Sequence, residues 1–157
     1  MWSHPAHPFA LGFGSGLSPI APGTVGTLWA WASYSLLSHY LNTTELACLV
    51  LMSIVLGWWF CKVTAEHMQV QDPSAIVWDE IAAFWLVLLV WMPVSFWGQL
   101  VAFVLFRLFD AAKPGPVGWA DRAFHGLGWR GGFGIMFDDV VAGFCTLLCL
   151  ALWQVTQ

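Results

Sequence analysis

The sequence predicts an all-α fold, a polytopic bundle of about five (at fewest four) membrane-crossing helices in one domain over residues 1–157. Three observations predict it. Apolar residues make up 59% of the 157-residue chain and charged residues 9%, where a soluble domain carries about 25% charged residues. The apolar residues fall into separate runs, divided by polar and glycine-rich connections. A chain of this length cannot hide so much apolar surface in its own core, so lipid must solvate the excess. The 12 Trp would suit membrane interfaces, where an apolar ring and a single N–H donor both find partners.

The lead-in, residues 1–23 (MWSHPAHPFALGFGSGLSPIAPG), is rich in Gly and Pro and shows no helical period. It has no Lys or Arg and places three Pro before Ile20, so it does not read as a cleavable signal peptide. Apolar segments follow at about 24–41 and 46–63, joined by the short turn NTTE at 42–45. Two more, at about 80–94 and 96–109, fall short of the roughly 17–25 residues a span takes. They read as tilted spans or a tight hairpin around Pro93–Trp97. The last segment covers about 140–155, and the long connections 64–79 and 110–139 read as loops.

Alternation puts both short turns on one side, and the lead-in, the long loops and all the acidic pairs on the other. Lys62, Arg107, Lys113, Arg122 and Arg130 are the five cations of the chain, and all fall on the second side. The positive-inside bias makes that side cytoplasmic, with the amino terminus in and the carboxyl terminus out. A net charge of −4 argues against nucleic acid as a partner, since that needs a basic face. Cys48, Cys61, Cys145 and Cys149 lie in or near apolar runs without metal-ligand or disulfide spacing, and read as packing residues.

Carboxylates mark the ends of the apolar runs. Asp79-Glu80 sits where the third begins, Asp110 closes the fourth, and Asp138-Asp139 open the fifth. A single acid at a helix start can be a cap, and Asp110 could simply pair with Arg107 three residues earlier. Five carboxylates at one water–lipid boundary are harder to account for, because they repel one another unless a cation or protonation neutralises them. Oxygen-only ligands point to Mg²⁺, Mn²⁺ or Ca²⁺ rather than zinc. Adjacent acids on a helix diverge by about 100°, so each pair is expected to offer one direct ligand. Metal held this way usually shares its coordination with substrate phosphate. The glycine-rich GFGSGLSPIAPGTVGT could present backbone N–H groups of Gly14, Gly16 and Gly23 to a phosphate. Ser15, Thr24, Arg107 and Lys113 are further candidates to hold it. Helix capping is the bland alternative for Thr24, and membrane anchoring for the cations. His125 is a candidate acid–base group, while His4 and His7 read as part of a tail.

The blocks GFGSGLSPIAPGTVGTL, IVWDEI, FRLFDAAKPGP and GGFGIMFDDVVAG together resemble the phosphatidylglycerophosphatase A family. The resemblance implies an all-helical, multi-pass enzyme of the bacterial inner membrane that removes the terminal phosphate of phosphatidylglycerophosphate. The product is phosphatidylglycerol, and the activity depends on Mg²⁺. The family's acidic motifs fall on Asp79, Glu80, Asp110, Asp138 and Asp139, its glycine-rich motif on Gly14 to Gly26, and its Lys-Pro on Lys113-Pro114. One departure is Ala82-Ala83, where family members often carry Gly. The expected partners are the phospholipid substrate and the bilayer. A cation- or proton-coupled transporter using the same carboxylates is the alternative, although such a protein would need them near mid-span.

Overall fold

The computed structural model describes residues 4–92, 94–124 and 126–155. All secondary structure among them is helical. The helices are α1 (Ala6–Ala10), α2 (Pro22–Leu37), α3 (Thr43–Met68), α4 (Trp78–Trp91), α5 (Phe96–Ala112), α6 (Pro116–Ala123) and α7 (Trp129–Val155), with a 3₁₀ turn at Gly12–Leu17 between α1 and α2.

Local chemistry sets several of the boundaries. Asn42 and Glu45 form a reciprocal cap, each side chain accepting the other's backbone N–H at 3.0 and 2.8 Å, which starts α3 at the NTTE turn. Ser95 caps α5. Pro occupies the first turn of α2 and of α6, where its missing N–H costs no hydrogen bond.

The core is built around α4, which packs on α2, α3 and α7, with α5 and α6 laid against α7 and α1 against α3. Ile81, Ala82, Ala83, Phe84 and Val87 of α4 are all fully buried. The Ala82-Ala83 pair keeps that side of the helix small, and the Ala83 carbonyl faces Gly143 of α7. Two tryptophans depart from the interfacial expectation. Trp78 and Trp85 are buried, and their indole N–H groups donate to the Ser53 carbonyl of α3 and the Ala30 carbonyl of α2, both at 3.0 Å. An enclosed indole needs such a partner, so these residues fasten α4 to both neighbours.

The structure changes the reading of the spans. Two helices, Thr43–Met68 and Trp129–Val155, are long and apolar enough to cross a membrane, fewer than the five expected. The other three apolar helices have 16, 14 and 17 residues. At 1.5 Å per residue they are all shorter than a hydrocarbon core about 30 Å thick. The loops also change. The lead-in contains α1 and the 3₁₀ turn, α3 runs on to Met68, and the 110–139 connection holds α6 and the first ten residues or so of α7. Of the glycines that suggested a loop there, Gly132 serves helix packing instead. A Cβ on Gly132 would lie 2.8 Å from the Trp58 carbonyl oxygen and 2.7 Å from the Lys62 Cβ, so its absence lets α7 approach α3. Exposed apolar side chains, among them Leu51, Met52, Val55, Val104, Phe144, Leu148 and Leu152, cover the outer faces of α3, α5 and α7.

The two histidines of the supposed tail are ordered. His7 is buried, lies 2.9 Å from the Thr64 hydroxyl through Nδ1, and shares a hydrogen bond with His67 at 3.0 Å. His4 stacks edge-on to His67.

Two outcomes are expected. Gly132→Ala should destabilise the protein by about 1–3 kcal/mol, the usual cost of overpacking, although replacing a helical glycine normally stabilises by about 0.5–1 kcal/mol. Thermal unfolding followed by circular dichroism measures it, and a variant as stable as wild type would refute the close α3–α7 approach. Burial, then the charges of His67 and His4, lower the pKa of His7. A base with a depressed pKa leaves the folded state with fewer bound protons, so stability is lost as pH falls below about 6.5. The unfolding midpoint should therefore drop on acidification from about pH 7 to about pH 5, and more steeply in wild type than in His7→Gln.

Candidate active site

Acidic residues from four parts of the chain meet in one cleft of about 320 Å³. Asp79 and Glu80 lie in the first turn of α4 and Asp110 in the last turn of α5. Asp138 and Asp139 lie nine and ten residues beyond Trp129 within α7, not at the start of an apolar helix. All five line the cleft together with Arg107, Lys113 and Gly23. Asp72, from the connection between α3 and α4, lines it too. Its position in a polar stretch outside any apolar run gave no signal in the sequence.

The carboxylates divide into two sets. Asp79, Glu80 and Asp139 each offer an oxygen within 4.8 Å of the other two. The Asp79-Glu80 neighbours thus reach the same place, where helical geometry alone suggested divergence. Asp79 Oδ1 and Glu80 Oε2 are buried without a hydrogen-bond partner among the described residues. Buried acceptors left unpaired are costly, and an all-oxygen trio of this spacing suits a hard divalent cation. The other set is already paired. Asp110 forms a short ion pair with Arg107, and Asp138 lies 2.7 Å from the Lys113 ammonium. Asp138 and Asp139 therefore part company, as adjacent helical residues should.

The cations are held from several sides. Arg107 NH1 donates to Asp110, to Glu80 Oε1 at 3.5 Å and to the Thr27 hydroxyl at 3.4 Å. Lys113 bridges Asp138 and Asp121 of α6. Burial works against the Lys113 charge, but its bonds to Asp121 and Asp138 outweigh that and raise its pKa, so it stays protonated at neutral pH. Thr27 and Asp121 escaped the sequence reading. Thr27 sits three residues past Thr24 in an apolar run, and Asp121 in what read as loop.

The glycine-rich lead-in is only partly at the cleft. Gly23 lines it, but Gly14, Ser15, Gly16 and Thr24 do not. The amides of Gly14 and Gly16 both donate to the Leu11 carbonyl, at 3.0 and 3.1 Å, and the Ser15 hydroxyl donates to the Gly12 carbonyl. These groups close the 3₁₀ turn on itself and are not available to a phosphate. Arg130 and Lys62 lie outside the cleft, with Arg130 donating to the Ala123 carbonyl and Lys62 paired with Glu66. His125 lies outside the described residues.

A helical protein with unpaired buried carboxylates beside two anchored cations has the groups that metal-assisted phosphoryl chemistry requires, and the class it defines is a helical phosphatase. The chain belongs to the phosphatidylglycerophosphatase A family, whose family model matches residues 9–154. It is 44% identical over 142 residues to phosphatidylglycerophosphatase A of Escherichia coli, covering 90% of this chain and 78% of the relative. The Haemophilus influenzae protein of the same description is 38% identical over 139 residues, 88% of this chain and 82% of the relative. A Bacteroides thetaiotaomicron protein, described provisionally as a phosphatidylinositol-3-phosphatase, is 38% identical over 148 residues, 90% of this chain and 88% of the relative. No solved structure matches the chain. The relatives are phosphatases by description, and the transport alternative finds no support among them.

The geometry makes a prediction about stability. Without divalent cation, Asp139→Asn should be at least as stable as wild type, because it relieves repulsion within the trio. Adding Mg²⁺ or Mn²⁺ should then raise the wild-type unfolding midpoint, by about 2.7 kcal/mol of stability at 100 times the dissociation constant, and the variant's far less. Differential scanning fluorimetry reads both, and equal cation responses would exclude Asp139 as a ligand.

Proposed function

We propose that the acidic cleft is where the family's phosphatidylglycerophosphatase reaction takes place, hydrolysing the terminal phosphate monoester of phosphatidylglycerophosphate to phosphatidylglycerol and inorganic phosphate. The observation that carries this reading is the clustered trio Asp79, Glu80 and Asp139, with Asp79 Oδ1 and Glu80 Oε2 unsatisfied, beside Arg107 and Lys113 in one cleft. Asp79, Glu80 and Asp139 would hold the metal. A hard divalent cation such as Mg²⁺ would supply positive charge for the phosphate oxygens and acidify water. Arg107 and Lys113 take the remaining charge that spreads over the phosphoryl oxygens. The first turn of α2 adds the amide of Gly23, which lines the cleft and has no acceptor within its own helix. Asp110 and Asp138, set apart from the trio, are left to accept the proton of the attacking water. Water's oxygen forms the new bond to phosphorus as the bond to the glycerol oxygen breaks, and the proton taken from water passes to that oxygen to give the free alcohol.

The substrate's tails favour a membrane setting. We place α3 and α7 across the bilayer, with α2 and α5 as shorter elements beside them and α4 shielded between. A helix shorter than the local hydrocarbon is accommodated by thinning of the bilayer or by oligomerisation. Arg107 and Lys113 line the cleft, Lys62 lies near the end of α3 that leads to it, and Arg122 and Arg130 follow in α6 and at the start of α7. The positive-inside bias therefore puts the cleft at the cytoplasmic face.

Purified protein in detergent, given phosphatidylglycerophosphate and Mg²⁺, should release inorganic phosphate and should stop when chelator is added. Asp139→Asn should lower turnover about 100-fold or more, the scale of losing one preorganised charge group. The description of the Bacteroides relative makes phosphatidylinositol 3-phosphate the comparison substrate, and faster release from it would move the specificity. No release from either lipid would end the phosphatase reading of the cleft.

A further inference from the structure

Three helices converge on one guanidinium nitrogen. Arg107 NH1 meets Thr27 of α2, Glu80 of α4 and Asp110 of its own helix. Of these contacts, the pair with Asp110 is local, three residues along α5, and would form whatever else surrounded the arginine. The contacts to Thr27 and Glu80, at 3.4 and 3.5 Å, are longer than the pair with Asp110 and are the ones that tie the paired head to α2 and α4.

Thr27 is fully buried, and its hydroxyl has a fixed polarity. It donates to the Gly23 carbonyl at 2.8 Å, so its proton is committed and only lone pairs face Arg107. The hydroxyl can therefore act toward the arginine only as an acceptor. One turn earlier, Gly23 leaves room for the same network. A Cβ there would lie 2.0 Å from Glu80 Oε1 and 2.9 Å from Arg107 NH2. The turn from Gly23 to Thr27 is thus a mould, with an open face at one end and an acceptor at the other.

We propose that Thr27 is a positioning residue for the phosphatase reaction: together with Asp110 and Glu80 it fixes the Arg107 guanidinium from a third side, so that the paired head stays between α2, α4 and α5 and turns its remaining N–H groups to the phosphate. This rests on the reading of the cleft given above. Without the Thr27 acceptor, only Asp110 and the long Glu80 contact hold the head, which can then pivot on the local pair. Arg107 is then less well aimed at the phosphoryl oxygens.

The experiment is a double-mutant cycle on phosphate release from phosphatidylglycerophosphate with Mg²⁺, using Thr27→Val, which keeps the shape and removes the acceptor. Thr27→Val should lower kcat about 10-fold and Arg107→Lys about 100-fold, and the double variant should be no worse than Arg107→Lys alone, because the two residues act as one unit. Thr27→Ser, which restores the hydroxyl, should stay within about twofold of wild type. A merely structural role for Thr27 would instead reduce the active fraction equally in both backgrounds, giving a loss of about 1,000-fold in the double variant. That additive result overturns the proposal, as does a Thr27→Val enzyme with wild-type turnover or a Thr27→Ser enzyme as poor as Thr27→Val. If Thr27→Val does not fold, Thr27→Ala runs the same cycle. A loss in Arg107→Lys beside intact Thr27→Val overturns the Thr27 role and leaves the cleft reading standing. Unchanged release from Arg107→Lys removes the arginine-specific role and overturns the Thr27 proposal, while the cleft reading stands on the carboxylate trio.

Discussion

The arrangement depends on holding like charges together. Asp79, Glu80 and Asp139 bring oxygens within 4.8 Å of one another in a part of the protein from which water is largely excluded. Such a group is unfavourable by itself, since burial and mutual repulsion both oppose the charged forms. It persists because the backbone that carries it is fixed by contacts elsewhere. α4 and α7 pack through small residues, Ala83 against Gly143, and α4 is fastened to α2 and α3 by the Trp85 and Trp78 indoles. The apolar core sets the distance between helices, and that distance sets the distance between carboxylates.

The cations answer the same constraint without removing it. Arg107 and Lys113 neutralise Asp110, Asp138 and Asp121, and Glu80 receives only a long contact from Arg107. The result is one paired region and one that keeps unsatisfied oxygens on Asp79 and Glu80 within a single cleft. A phosphate monoester needs both, a site for a cation and a set of donors that take up the charge the cation does not. The division is a property of helix ends. α5 delivers Arg107 and Asp110 within one turn, and the residue that ends it, Lys113, turns back in a left-handed conformation toward α6 and α7.

Residue types and boundaries were partly legible in the chain. The five carboxylates, Arg107 and Lys113 stand out because charge is rare in so apolar a sequence, and all seven line the cleft. Gly14 to Gly16 misled because glycine runs suit two opposite uses. They can expose amides to a ligand, or they can fold a turn tight enough to use those amides internally, as the Leu11 carbonyl shows. Gly132 misled in the same way, since a loop and a close helix crossing leave one composition. Thr27, Asp72 and Asp121 carried no local mark, because each matters only through a partner far along the chain.

The sequence by itself determined the helical class, the apolar runs and most of the charged residues that line the cleft, because these follow from local composition. The tertiary structure alone decided which carboxylates stay unpaired, which are neutralised, and which glycines serve packing. Those outcomes depend on distances between helices, and such distances are set by side chains that meet only after the chain has folded.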